Sequence, residues 1–486
     1  MLYRSRLGND LNKITLDYVS SISDDSEIAF YDIIGSQAHT VMLYESKLIS
    51  KNDSKKILCA LEGLKKEKFD QNYTAEDIHE LIESLVIKKA GPASGGKMHT
   101  ARSRNDQVAL DIRMKIRDDI IILCNCILDT TEALISLADK HKKTVMPLYT
   151  HLQQAQAGTF SHYLLAHCDV LLRDLERLSD AFRRVNQSPL GAGPVGGTSL
   201  PIDRNLTSEL LGFSGLVENS IDATSTRDFV AEYLSDVAIL MTNLSKLAED
   251  FVIWSSAEFS FIELSDEFTS PSSVMPQKKN PDILELTRGK ASQMIGNLVG
   301  VLATIKGLAT GYGRDLQEIK SSIWSASKTS ISALIVIKSM LLTLSVNEKN
   351  MKKTAQASYL VALDVAEKLV RQGTPFRTAH KISGKLVQSA YNSKKPLNKL
   401  SQSEIRKAVG DDISELANII ASATISDSLR ERISRGSSGF SEQKRMINHR
   451  KTVINDWRIK ITHSDNEISN SLEDLSNRVR DLTKTS

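Results

Sequence analysis

Several things are scarce in this sequence, and each scarcity excludes something. Four cysteines in 486 residues (Cys59, Cys124, Cys126 and Cys168) lack the paired spacing of a zinc site. A chain of this length needs no disulfide framework to hold a core, so a reducing, cytoplasmic setting is expected. No run of about 18 apolar residues stands out, which argues against a membrane span. The opening Met1-Leu2-Tyr3-Arg4-Ser5-Arg6 has no apolar stretch behind it and does not read as a signal peptide. An excess of one charge is also missing. The 62 Lys and Arg face 59 Asp and Glu, a formal charge of +3 with no basic block, so nucleic acid is not the expected partner.

Proline is rare as well. Only ten occur, and they leave long proline-free tracts at 93–146, 202–270 and 282–374. Proline inside a helix costs about 3 kcal/mol, so long helices fit these tracts. Apolar spacing agrees. Ile116, Ile120, Leu123, Ile127, Leu134 and Leu137 follow steps of four and three, with Thr130 filling the gap. Val230, Leu234, Val237, Met241, Leu244 and Phe251 do the same. Alternating strand patterns are few. The expected class is all-α, built on a central bundle of long helices. Beyond about residue 455, Ile468, Leu472, Leu475, Val479 and Leu482 predict a short amphipathic helix that docks on its own body or on a neighbouring subunit.

What is present is polar chemistry crowded at the breaks between helices. Ser270-Pro271-Ser272-Ser273-Val274-Met275-Pro276-Gln277-Lys278-Lys279-Asn280-Pro281 puts hydroxyls, an amide and two ammonium groups in one proline-bounded loop. Such a loop suits a carboxylate, although by composition alone it also reads as solvated surface. His99-Thr100-Ala101-Arg102-Ser103-Arg104-Asn105-Asp106-Gln107 sets two arginines beside a helix start, which is an anion site or simply an N-cap with surface charges. Thr150-His151-Leu152-Gln153 offers a histidine for acid–base work, or a structural hydrogen bond. His79 is open to the same two readings. Gly191-Ala192-Gly193-Pro194-Val195-Gly196 matches a dinucleotide fingerprint literally. It follows a helical stretch rather than a strand, so it reads as a tight connection between helices.

Together these segments resemble the fumarase/aspartase superfamily. The 270–281 loop is similar to its signature G-S-S-x-M-P-x-K-x-N-P. The argininosuccinate lyase branch is resembled by 99–107 (H-T-G-R-S-R-N-D-Q) and by 150–153 (T-H-L-Q). Gly197-Thr198-Ser199-Leu200-Pro201-Ile202-Asp203-Arg204 and Tyr312-Gly313-Arg314-Asp315-Leu316-Gln317-Glu318 continue it, as does Pro375-Phe376-Arg377-Thr378-Ala379-His380. The resemblance covers about residues 1 to 440. Departures are Pro271 and Ala101 in place of glycines, Gln154 for Arg, Ala157 for Pro, and Ile319 for an acidic residue.

The resemblance implies a three-domain all-α fold: an N-terminal helical domain at 1–106, a long-helix bundle at 107–355, and a C-terminal helical domain at 356–486 that includes the tail. It implies cleavage of argininosuccinate to fumarate and arginine, in arginine biosynthesis, by a cytoplasmic homotetramer that needs no cofactor and no metal. Ser272 is then the general base and His151 the general acid. Glu285 orients His151, and Lys278 with Asn280 holds the aci-carboxylate. Ser21, Asn105, Thr150 and Asn280 match positions binding the succinate or amino-acid ends, and Asp25 and Arg104 join the substrate-binding set. Tyr312, Gln317 and Lys320 match positions holding the arginine portion. Arg102 and Ser103 are expected on a carboxylate, with His79 as a supporting contact. The alternatives are a sister lyase acting on adenylosuccinate or another fumarate-yielding substrate, a non-catalytic crystallin-like relative, and a helical scaffold without a small-molecule site.

Overall fold

The computed structural model describes residues 11–67, 69, 75–410 and 414–484, so Met1–Arg6 lies outside the described residues. Helices dominate. The N-terminal region supplies α1 (Ala29–Glu45), α2 (Lys51–Leu64) and α3 (Ile78–Ala90). The bundle consists of α4 (Arg104–Lys140), α5 (Phe160–Val185), α6 (Asp228–Ser255), α7 (Asp282–Ile305) and α8 (Ile319–Thr343). The two apolar stripes read from the sequence are buried: Ile116, Ile120, Leu123, Ile127, Leu134 and Leu137 on α4, and Val230 through Phe251 on α6. Thr130, the one polar residue in the first stripe, is also buried, and its hydroxyl donates to the Cys126 carbonyl at 2.8 Å. The back-bond lets a hydroxyl sit in an apolar seam.

Contacts between the helices fix their directions. The Arg113 guanidinium lies 4.0 Å from the Phe229 ring centre and donates to the Arg184 carbonyl at 2.9 Å. The start of α4, the end of α5 and the start of α6 therefore share one end of the bundle. At the other end, Phe160 packs against Phe251 and Trp254. There α7 begins, with Arg288 bonded to Glu249. Helix α8 runs parallel to α4, since Ser327 donates to Asp119 at 2.7 Å and Lys338 to Asp129 at 2.8 Å.

Two features differ from the sequence-based expectation. The tail is not a short helix from about 455. It belongs to α9 (Phe440–Thr483), a 44-residue helix lying along α4 and the N-terminal helices. Ile461, Ile468, Leu475, Val479 and Leu482 are buried on the chain's own body. Secondly, α4 and the stretch Arg314–Thr343 are long and apolar enough to cross a membrane by composition alone. In α4, 67% of the most apolar stretch is buried inside the molecule, because a central bundle helix meets neighbours on most of its faces.

A smaller, separate core holds the helices between Ala362 and Glu431, among them Ala362–Arg371 and Phe376–Asn392. Strands are short. The longest pair, β1 (Val145–Thr150) and β2 (Gln153–Thr159), forms an antiparallel hairpin after α4, with Thr150 opposite Gln153. The alternation that predicts a strand is absent from this glutamine-rich segment, and the hairpin was not legible.

Candidate active site

The candidate side chains fall into two groups at opposite ends of the bundle. At the end where α6 finishes and α7 begins, Ser270–Pro271 pairs with Lys279–Asn280, closing the base of the signature loop. The Ser272 hydroxyl oxygen accepts from the backbone N–H groups of Val274 at 3.3 Å and Met275 at 3.0 Å. Two N–H dipoles aimed at one oxygen favour negative charge there, which is what a serine acting as a base needs. The neighbouring lysines have different roles. Lys279 is held by Asp266 at 2.7 Å and Glu263 at 3.3 Å, whereas exposed Lys278 has no ion pair among the described residues. Asn280 donates to the Ser270 hydroxyl at 3.4 Å, and that hydroxyl bonds Asp282. Glu285 stands exposed in the first turn of α7.

The β1–β2 hairpin carries Thr150 and His151 at its tip. His151 and Leu152 both hold left-handed backbone, at φ 53° and 56°, as the two central residues of a type I′ turn. Glycine and asparagine are the usual occupants of such turns, so this one stores strain at a candidate catalytic residue. The His151 imidazole is exposed and makes no hydrogen bond to another described residue. Within one chain it forms no hydrogen bond or ion pair with Ser272 or Glu285. The strands behind the tip are anchored: Thr159 donates to buried Gln443 at 2.7 Å, and Arg432 to the Ala157 carbonyl at 2.6 Å.

The second group lies where α4 and α8 begin. Ser21 donates to Asp25 at 2.6 Å, Lys320 pairs with the same carboxylate, and all three are buried. Gln317 donates to the Val19 carbonyl at 3.2 Å. Half-buried Tyr312 lies beside Arg227 and Arg314; burial raises its phenol above the ordinary value although both cations oppose this. Arg104 bonds Asp77 at 2.7 Å.

Ser103 caps α4 in a reciprocal box with Asp106, whose side chain accepts from the Ser103 N–H at 3.0 Å. The other oxygen of Asp106 accepts from the backbone N–H groups of Gly191 at 3.1 Å and Gly193 at 2.9 Å. The glycine loop that imitates a dinucleotide fingerprint thus cradles an internal carboxylate. Burial pushes Asp106 up to about 6 against Arg102 and these donors. Asn105 is steadied by the same loop, donating to the Pro194 carbonyl at 2.9 Å.

Two more of the expected substrate contacts, like Ser21, Asp25 and Lys320, engage partners inside the chain. Arg102 and His79 are turned inward and buried, and their partners are side chains of α1 and α4. Those partners, Asp32 and Asp111, carried no sequence signal that singled them out. Isolated aspartates inside apolar helices look like any polar interruption until three helices meet.

A sequence profile described as Lyase matches residues 13–296, and one described as Argininosuccinate lyase C-terminal matches residues 359–424. A protein named argininosuccinate lyase from Nitrosopumilus maritimus is 70% identical over 468 residues, covering 96% of each chain. Another protein of that name, from Methanocaldococcus jannaschii, is 44% identical over 401 residues, 82% of this chain and 83% of its own. Among solved structures, an EDDS lyase variant with bound fumarate superposes with a TM-score of 0.86 at 29% identity, covering 97% of this chain and 94% of that one. A class II fumarase from Schistosoma mansoni shares the fold, with a TM-score of 0.71 at 16% identity over 82% and 91% of the chains.

Proposed function

This chain belongs to the argininosuccinate lyase family, and from that premise we propose that it cleaves argininosuccinate reversibly into fumarate and arginine at sites shared between subunits. The observation that carries the shared site is the separation of the two groups. Helix α7 has 24 residues and is about 36 Å long at roughly 1.5 Å per residue. Its first turn holds Glu285, and Tyr312 follows beyond its far end. One small substrate cannot touch both ends of the same bundle. A homotetramer in which the Ser272 loop, the His151 hairpin and the Tyr312–Lys320 segment come from different copies completes the site.

The chemistry accounts for the residue types. A weakly acidic proton leaves the carbon beside a carboxylate, and Ser272 takes it. The resulting carbanion spreads charge onto that carboxylate. Lys278, which lacks an internal counter-ion, and Asn280 hold the aci-carboxylate. The carbon–nitrogen bond then breaks. His151 protonates the departing guanidino nitrogen, with Glu285 fixing its tautomer from another chain. Ser21, Asp25, Asn105 and Thr150 bind the polar ends of the substrate, and Tyr312, Gln317 and Lys320 hold the arginine portion. The reaction serves arginine biosynthesis in the cytoplasm. The four unpaired thiols fit that reducing compartment.

Ultraviolet absorbance of fumarate tests the reading. Argininosuccinate should release it efficiently, and adenylosuccinate, malate and aspartate should not. A polar site leaves buried groups unpaired when the wrong substrate binds, which discriminates strongly. Faster turnover of adenylosuccinate than of argininosuccinate would assign the chain to a sister activity.

A further inference from the structure

Helices α1, α3 and α4 meet around four buried charged side chains. Asp32 comes from α1, His79 from α3, Asp111 from α4, and Arg102 from the loop before α4. Their exposures are 1%, 4%, 0% and 7%. His79 Nδ1 lies 3.0 Å from Asp32 Oδ1 and 3.5 Å from Asp111 Oδ2. Arg102 Nη2 lies 3.8 Å from Asp32 Oδ1, and Nη1 donates to the Ser36 hydroxyl at 2.7 Å. Gln107 donates to Asp32 Oδ1 at 3.0 Å. Among the described residues, neither oxygen of Asp111 has a hydrogen-bond partner, and neither do Arg102 Nε and Nη2 or His79 Nε2. Gly35 gives room to Leu110, since a Cβ there would lie only 2.7 Å from a Leu110 methyl carbon, while Arg102 Nη2 at 3.6 Å and Asp111 Oδ1 at 3.8 Å would be ordinary contacts.

Burying a charge is costly unless an opposite charge goes with it. Here two carboxylates face an imidazole and a guanidinium. Burial alone would lower His79, but Asp32, Asp77 and Asp111 reverse this and raise it to about 9, which keeps the ring charged at neutral pH. Burial and the neighbouring Asp32 charge raise Asp111 well above the ordinary carboxylate value while His79 and Arg102 pull it down, so Asp32 is the ionised partner and the charge on Asp111 depends on the two cations beside it. The three potential ligand residues Asp32, His79 and Asp111 also lie close enough to hold a metal ion. The nearby guanidinium and the use of His79 Nδ1 toward Asp32 argue for an internal ion cluster instead.

We infer that Asp32 and Asp111 are positioning residues, which hold His79 and Arg102 inside the protein and thereby set the loop that presents Ser103, Arg104 and Asn105 to the substrate. Arg102 is then no substrate ligand. It is the inward anchor of a loop already bent at Ala101, whose φ is 60°, and fixed at Thr100 by His39 at 2.8 Å. With Arg102 anchored, the start of α4 and Asn105 keep one orientation. With Asp32 or Asp111 altered, the two cations lose a group that holds them in the core and the loop is released outward.

The kinetic part of this inference rests on the lyase reading above. The test is a double-mutant cycle of Asp111→Asn and Arg102→Gln, read as KM and kcat for fumarate release and as Tm. Each single variant should raise KM about tenfold while kcat changes less, since a small misplacement of a binding group is felt strongly. The double variant, which removes both members of the interaction at once, should have a KM and a Tm closer to wild type than the two singles combined predict. Independent effects on both KM and Tm would overturn the inference, because an arginine touching substrate directly is not rescued by removing Asp111. Lower Tm with unchanged KM in every variant would overturn it too, leaving a structural role only. A stoichiometric metal found by elemental analysis of the wild-type protein would overturn the ion cluster. If Asp111→Asn does not accumulate, Asp32→Asn with His79→Gln runs the same cycle through the other arm. A wild-type protein inert toward argininosuccinate sinks the lyase reading alone, and the Tm cycle still decides the ion cluster.

Discussion

Ala101 adopts a φ of 60° where the family has glycine. A left-handed L-residue costs roughly 1–2 kcal/mol, and glycine would return some of that as unfolded-state entropy. Ala101→Gly should therefore stabilise the protein by about 0.5–1 kcal/mol, read as a higher Tm with KM unchanged. An unaltered Tm would mean that the surrounding hydrogen bonds already absorb the strain. The catalytic assignments are tested at the same scale. His151→Asn should lower kcat by roughly 10²-fold or more, the usual size of a lost general acid. Glu285→Gln should lower kcat while leaving KM less affected, because it acts on the histidine and not on the substrate. A Glu285→Gln enzyme with full kcat would remove that carboxylate from the mechanism.

At the scale of elements, the signature loop and α9 carry the sharpest tests. Pro271 lies in the short pairing that closes the loop, opposite Lys279, and it is exposed. It restricts φ to about −65° and supplies no N–H. Pro271→Gly should widen the loop's motion, with faster proteolysis within 270–281 and a kcat shift of less than about tenfold. Unchanged proteolysis and unchanged kcat would make Pro271 a neutral substitution. Helix α9 contributes differently. Its own Ile461, Ile468, Leu475, Val479 and Leu482 are buried. At roughly 1.5–3 kcal/mol for each buried aliphatic side chain, the gross contribution is about 7–15 kcal/mol. Truncation after residue 455 should yield aggregated or unfolded protein. Gly212→Ala is a milder probe, since its Cβ would lie 2.9 Å from the Ile468 Cα and its φ is 68°. A lower Tm is expected, and an unchanged one would show that α9 is free to move away.

At the scale of the molecule, His151 bonds neither Ser272 nor Glu285 within one chain although all three stand at the same end of the bundle, and the shared-site reading therefore predicts complementation. His151→Asn and Ser272→Ala should each be inactive as pure oligomers. Mixed by unfolding and refolding in equal amounts, they should regain activity, because about a quarter of the shared sites receive neither lesion. Mixtures as inactive as their parents would place both residues in one chain's site and refute the shared arrangement.

The sequence by itself determined the helical class, the buried stripes of α4 and α6, and the loops where chemistry gathers. Steps of three and four, the rarity of proline, and local motifs are properties of neighbouring residues, and they survive without knowledge of the rest of the chain. His151, Ser272 and Lys278 drew attention in the same way, as residues of local motifs that resemble the family's. Tertiary structure alone decided what depends on distant partners. The β1–β2 hairpin has no alternating pattern and is held by Gln443 and Arg432, nearly 300 positions away. The tail became a 44-residue helix because the N-terminal helices and α4 offered it an apolar track. Arg102 read as a carboxylate ligand and His79 as a supporting contact in sequence, yet both are buried, His79 beside Asp32 and Asp111 and Arg102 beside Asp32. A charge goes where its counter-charge is, and only the meeting of three helices could bring those charges together.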